Sequence, residues 1–353
     1  MSFQILACGS NGSFQLGLGN DKDHNTLQHV PGLEHLSAVA PKMFAFGGNH
    51  TLVLYPDGHL LATGDNEFGQ CGIESPSKLE QFTRVPGKWK AVAAGWQFSI
   101  LCSFDDVLYS CGYGPKGELG LGKHRPISPA PQKLTVPISD TVDSIQCSIS
   151  HTVVKLSSGV LVGWGASRKG QLGSHAPILT ASGKAKAVPA LWDPVVLSFG
   201  KEAKEFCLGR DRTILVGDSI NVLGSEPHEV HVRARSVKSM WSSIHYIAQD
   251  ETTIHSVGNN SHGQCFEYEL PGAVKDFTVG SEHGLVLSAD NCVYAWGWGE
   301  HGNCGVMRDD NVTFDFLNKV YGEDGEGEGE VVMIAGGLAT TWVVVKRGNV
   351  HQP

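Results

Sequence analysis

Residues 47–72 run Gly47-Gly48-Asn49-His50-Thr51-Leu52-Val53-Leu54, then Pro56-Asp57-Gly58, then Gly64-Asp65-Asn66-Glu67-Phe68-Gly69-Gln70-Cys71-Gly72. The first block is a small-residue turn leading into a short apolar run. The second is a reverse turn whose residues tolerate positive φ. The third closes a strand on glycine and enters a glycine-rich turn. Together they describe a strand hairpin bounded by two turns, with no room for a helix.

The same blocks recur along the chain, and self-similarity of this kind marks a repeat architecture. The glycine-turn block returns at Gly9–Gly17, Gly112–Gly120, Gly165–Gly173, Gly258–Cys265 and Gly297–Gly305, with a worn copy at Val222-Leu223-Gly224. The small-residue block returns at Gly95-Trp96-Gln97-Phe98, Ser148-Ile149-Ser150-His151 and Gly209-Arg210-Asp211-Arg212. It returns again at Ser242-Ser243-Ile244-His245, Gly280-Ser281-Glu282-His283 and Gly337-Leu338-Ala339-Thr340. The seven copies start 48, 53, 61, 33, 38 and 57 residues apart, a mean of about 48, which suits a four-stranded propeller blade. Hairpin turns at Phe104-Asp105-Asp106, Ser157-Ser158-Gly159 and Ala289-Asp290-Asn291 stand where Pro56-Asp57-Gly58 stands. No stretch holds a 3.6-residue period for three turns without Gly or Pro, so almost no helix is expected.

The fold class this predicts is all-β: a seven-bladed β-propeller, a single domain over residues 1–353 with insertions near 174–205 and 322–330. The final repeat, ending in Val343-Val344-Val345-Lys346-Arg347-Gly348-Asn349-Val350, lacks its apolar-strand-plus-glycine element, and Ile5-Leu6-Ala7-Cys8-Gly9 supplies one. The N-terminal strand is therefore expected to complete the last blade and remove an exposed sheet edge.

Composition agrees with this reading. The 44 glycines and 41% hydrophobic residues fit many short strands; the lack of a G-X-Y period excludes collagen, and the hydrophobic fraction argues against disorder. A net charge of -9 with no Lys/Arg-rich tail makes a poor nucleic-acid binder and suits a basic partner. The nine cysteines form no C-x-x-C pair and are read as reduced, core-filling thiols. Neither a signal peptide nor a membrane span is expected, which places the protein in cytoplasm and nucleus.

These residues carry a resemblance to the regulator-of-chromosome-condensation repeat family, over nearly the whole chain. Blade four is degenerate, because no G-Q-L-G follows Gly224. The opening Gly9-Ser10-Asn11-Gly12 and Gln15-Leu16-Gly17-Leu18-Gly19-Asn20-Asp21 is similar to the bare-propeller branch of fungal alpha-tubulin suppressors, or killer-toxin-insensitivity proteins. That resemblance implies a non-catalytic scaffold forming a heterodimer with a small CSL-type zinc-ribbon protein, an electron donor in diphthamide synthesis. It also implies support of Elongator-dependent modification of wobble uridine in tRNA, with Elongator a further partner. No direct contact with nucleic acid or membrane is implied, and no cofactor. The alternative within the family is guanine-nucleotide exchange on a Ran-like small GTPase; the missing basic tail and the degenerate fourth blade count against it.

Catalytic signatures fail on inspection. The G-x-G-x-x-G matches at Gly112–Gly117 and Gly297–Gly302 need to open a helix to hold a pyrophosphate, and their continuations cannot. No phosphate loop, nucleophile elbow or H-E-x-x-H occurs, so no enzyme and no metal site is expected. The recurrent His50, His151, His245 and His283 are expected to hydrogen-bond their own blade's backbone.

Propellers bind through rim loops. Candidate partner-binding residues are therefore Asn49, Trp96, Gln97, Arg210, Asp211 and Glu282 in the variable pair of the small-residue block. In the family's founding protein, as the resemblance implies, equivalent segments face the GTPase. Tyr113 and Trp298 join them, because they stand where other copies have Ser10, Asp65, Ala166 and Asn259. Large aromatics at such positions are anchor candidates; the alternative is that they fill gaps between blades. Trp164 and Trp296 precede the strand glycine and are read as core. The run Glu323–Glu330 is read as a solvated insertion, or as a lure for a basic partner. Residues 174–205, with Leu191-Trp192, are read as a long loop.

Overall fold

The computed structural model describes residues 2–176, 178–179, 185–270, 272–307, 311–322 and 329–348. Most of the acidic run, residues 323–328, lies outside the described residues, as do Pro177 and Val350.

Seven antiparallel sheets form the blades of a propeller. Blade 1 runs Met43–Phe46, His50–Leu54, Leu60–Asp65, Lys78–Val85, and blade 2 runs Trp89–Ala94, Phe98–Ser103, Leu108–Tyr113, Ile127–Lys133. Blade 3 comprises Val142–Cys147, His151–Leu156, Leu161–Ala166 and Ala190–Val196. Blade 4 comprises Glu205–Gly209, Arg212–Val216, Ile220–Gly224 and His228–Val230, and blade 5, among the described residues, Ala234–Ser239, Ser243–Ala248 and His255–Gly258. Blade 6 is Val274–Val279, His283–Ser288, Val293–Trp298 and Thr313–Tyr321. Among the described residues the only helical element is one 3₁₀ turn, Glu34–Leu36, and no helix is long and apolar enough to cross a membrane.

Blade 7 closes the ring with both ends of the chain, in the order His24–His29, Ser2–Gly9, Thr340–Arg347, Glu330–Gly336. Ile5 pairs with Val344, Leu6 with Val343, Ala7 with Trp342 and Cys8 with Thr341. The N-terminal segment thus supplies two strands, one more than expected.

Second strands are covered on both faces by neighbouring blades. They read as continuous apolar runs, and His50–Leu54 is buried at every position. Outer strands such as Lys78–Val85 meet solvent and are mostly exposed. Trp164, Trp296 and Trp342 are fully buried between blades. The hairpin turns take positive φ where the sequence offered tolerant residues: Gly58 at 84°, Asp106 at 60°, Gly159 at 82° and Asn291 at 68°. All nine cysteines are free, and burial pushes the Cys8 thiol up to about 12.

One glycine position explains the repeat. Gly64 has φ +106°, and a Cβ there would lie 2.3 Å from the Asn49 carbonyl oxygen. The same clash with the residue before the turn's fourth position meets Gly9, Gly112, Gly165, Gly224, Gly258 and Gly297, one per blade. The worn copy at Gly224 is therefore a true structural equivalent. Two expectations need correction. Residues 190–196 are the outer strand of blade 3, with Leu191 opposite Gly165, so Leu191-Trp192 do not lie in a loop. The fifth small-residue block is Met240-Trp241-Ser242-Ser243: Met240 N donates to Ser243 O (2.9 Å) as Gly47 N donates to His50 O (2.9 Å), and Ser243, not His245, pairs with Gly258.

Candidate functional site

The small-residue blocks become the turns between the first and second strands of each blade. First strands from all seven blades line a central channel of about 290 Å³. Backbone amides stitch successive turns together: Gly48 N to Trp96 O (2.8 Å), Trp96 N to Ile149 O (3.2 Å), Trp241 N to Ser281 O (2.8 Å) and Ser281 N to Leu338 O (3.3 Å). Between blades 3 and 4, Ser148 Oγ donates to Gly209 O (2.6 Å) and Arg210 O (2.9 Å). The second residue of each turn is thereby fixed around one channel mouth.

His50, His151 and His283 bond hydroxyls of the next blade and leave their own backbone alone, whereas His245 bonds Ser243 Oγ (2.9 Å) and Ser256 Oγ (2.8 Å) within its own blade. His50 Nε2 lies 2.9 Å from Ser99 Oγ of blade 2, and Ser99 Oγ donates to Gln70 O of blade 1 (2.7 Å). His283 meets Thr341 Oγ1 (3.1 Å), which donates to Asn303 O (2.7 Å). His151 reaches Thr213 Oγ1 of blade 4 at 3.4 Å. The own-blade expectation fails because turn amides such as Gly47 N already bond the His50 carbonyl. Since the Ser99 proton is spent on Gln70, the His50 Nε2 must donate. Nδ1 is then a bare, unpartnered atom, and charging it would bury an unpaired cation. Burial accordingly lowers the imidazoles, to about 3 for His50 and His245 and to about 4 for His151 and His283.

A cavity of about 240 Å³ opens at the mouth, sharing Phe46, Trp96, Trp241, Ser281 and Leu338 with the channel. It brings together four of the sequence candidates: Asn49, Trp96, Glu282 and Trp298. Trp96 of blade 2 is 41% exposed, and its ring centre lies 6.1 Å from that of Trp241, which reaches across from blade 5 at a 48° tilt. Trp298 stacks on His262 at 4.6 Å, 15° from parallel. Its indole Nε1 is buried and finds no acceptor among the described residues, a deficit of about 1–3 kcal/mol. Glu282 accepts from Ser242 Oγ (2.7 Å) and Gln264 Nε2 (3.1 Å). Burial raises its carboxyl above the ordinary value, against the lowering influence of those two donors, His262 and Arg210.

The other candidates lie elsewhere. Arg210 and Asp211 line a neighbouring depression with Lys169, Glu226 and Trp241. Tyr113 stacks on Phe68 of blade 1 at 4.9 Å and lines neither space, so it fills a gap between blades. Gln97 is also outside both, and its carbonyl accepts from Tyr113 N (2.7 Å). Trp241 was missed because His245 resembles the block's usual histidine and shifts the alignment by two residues. The two G-x-G-x-x-G matches run into turns, with Gly120 N bonded to Gly117 O and Gly305 N to Gly302 O.

Comparison with known proteins fits this geometry. Regulator of chromosome condensation (RCC1) repeat models match residues 4–54 and 105–154, and 44–70 and 274–303. An RCC1 repeat-containing protein of Schizosaccharomyces pombe is 30% identical over 370 residues, covering 98% of this chain and 99% of that protein. The chain belongs to the RCC1 repeat family. Within that family, the secretion-regulating guanine nucleotide exchange factor of Bos taurus is 25% identical, over 85% of this chain and 75% of its own. The crystal structure of Prp20p from Saccharomyces cerevisiae, described with its binding to Gsp1p and histones, superposes with a TM-score of 0.81 at 17% identity. It covers 99% of this chain and 93% of Prp20p, and supports the seven-bladed RCC1 fold.

Proposed function

We propose that this RCC1-type propeller is a non-catalytic scaffold whose channel mouth docks a small protein. The observation that carries the reading is the convergence of three indoles, from blades 2, 5 and 6, on one cavity. The exposure of Trp96 and the partial exposure of Trp241 and Trp298, at positions filled by small residues in most copies, fit anchoring better than core packing. The partner is a CSL-type zinc-ribbon electron carrier, as the resemblance to the bare-propeller branch suggests. In that role the protein supports diphthamide synthesis and Elongator-dependent modification of wobble uridine, in cytoplasm and nucleus. The test is size-exclusion of the purified propeller with the zinc-ribbon protein, with zinc quantified in the peak. A one-to-one complex is expected, weakened about tenfold or more by Trp96→Ala at unchanged folding. Separate elution of the two proteins defeats the reading.

One observation favours exchange on a Ran-like GTPase: the bovine relative is named a guanine nucleotide exchange factor. Release of labelled GDP from such a GTPase, accelerated by the propeller, would establish it.

A further inference from the structure

The mouth cavity pairs aromatic faces with acid, and among the described residues its lining holds no lysine or arginine. Trp96, Trp241 and Trp298 share it with Glu282 and the exposed Glu300. Of its imidazoles, His50 bonds Ser99 through Nε2 and keeps a buried, unpartnered Nδ1, and His301 Nδ1 is held 2.8 Å from Asp23. Glu282 uses one oxygen, Oε2, for both of its side-chain donors. The Trp298 indole N–H still needs an acceptor such as a carbonyl of an incoming chain.

We propose that this cavity is a cage for one arginine side chain of the docked protein. The guanidinium stacks on an indole face, Glu282 and Glu300 take its N–H groups, and a neighbouring carbonyl of the partner takes the Trp298 N–H. Arginine suits the site better than lysine because its flat cation stacks and is weakly hydrated. The 6.1 Å between Trp96 and Trp241 is too narrow for a third ring between them, so the cation lies against the outside of that wedge. The overall charge of -9 favours approach of a basic segment. This inference rests on the mouth being the docking site.

The experiment follows tryptophan emission of the full chain during titration with a blocked Gly-Gly-Arg-Gly-Gly peptide. The control peptide carries citrulline, which keeps the shape and removes the charge. The arginine peptide is expected to saturate, and to bind about tenfold tighter than the citrulline peptide. Glu300→Gln and Glu282→Gln should each weaken it about threefold to tenfold. Glu300 is exposed, so that variant keeps the fold. Equal binding of the two peptides, or none by the arginine peptide, overturns the cage. With the protein partner, release by Trp96→Ala but not by either glutamine variant overturns the cage and keeps the docking site. Release by none of them removes the docking site as well.

Discussion

Blades 1 and 6 differ from blades 4 and 5 in how they are held. The first pair has four full strands and the His–hydroxyl–carbonyl weld of His50–Ser99–Gln70 and His283–Thr341–Asn303. In the second pair the outer strand shrinks to His228–Val230 or is missing among the described residues. Arg212 and Ser243 stand where blades 1, 3 and 6 have histidine. The thin sector nonetheless carries Trp241, Arg210, Asp211 and Ser242, which border the mouth cavity or its neighbour. Full blades supply Asn49, Trp96, Glu282 and Trp298 to the mouth through the variable positions of the repeat, and the thin sector adds Trp241 where the repeat's histidine is replaced.

The largest expected consequence is acid lability at the buried histidines, three of them welds between blades and His245 a contact within blade 5. His50, His151, His245 and His283 are buried and neutral, with folded values near 3 to 4. An unfolded histidine titrates near 6.5. The folded state therefore binds fewer protons: its stability is complete above about pH 6.5 and falls as pH drops from there toward 4. Each site contributes a slope of about 1.4 kcal/mol per pH unit in that window. His50→Phe copies blade 2, where Phe98 already fills this place. Urea midpoints from pH 7.5 to 5 should then lose about one proton's worth of slope. An unchanged slope would mean that His50 is not a neutral weld.

A smaller effect separates buried from mouth tryptophans. Trp296 is fully buried and its Nε1 donates to Gln264 O (2.8 Å). Trp296→Ala should cost about 3–5 kcal/mol. Trp241→Ala removes a half-buried ring from the channel mouth and should cost about 1 kcal/mol. Similar losses in urea unfolding would erase the distinction between ring and site.

The ring was legible in the sequence because its constraints are local and repeated. A glycine whose Cβ would strike a carbonyl, and a turn that closes on itself, leave the same trace in every copy. The contents of the mouth were less legible. Trp96 and Trp298 stood out as large residues in small-residue positions. Trp241 did not, because His245, which bonds Ser243 and Ser256 within its own blade, took the place of the consensus histidine in the alignment. The strand glycine held the missing signal. His50 pairs with Gly64, Phe98 with Gly112, His151 with Gly165 and His283 with Gly297, a constant offset that, counted back from Gly258, falls on Ile244, beside the true partner. That Trp96 and Trp241 meet across the axis follows only from ring closure, and no local pattern encodes it.

The smallest effect concerns the substitute weld of the thin sector. Arg212 is nearly buried, and its Nε donates to Ser225 O (2.9 Å) while Nη1 reaches Ser242 O of blade 5 (3.4 Å). Its other terminal nitrogen pairs with Glu226, whose side chain is 82% exposed. An ion pair with so open a partner is screened by water and contributes little, whereas the two carbonyl contacts are directional and the Ser242 one crosses between blades. Glu226→Gln should therefore cost under about 0.5 kcal/mol, while Arg212→Met, which strips the carbonyls of their donor, should cost about 1–3 kcal/mol. If urea unfolding reverses that order, the exposed ion pair joins blade 4 to its neighbour, and the thin sector is held by charge at its surface instead of by a buried donor standing in for histidine.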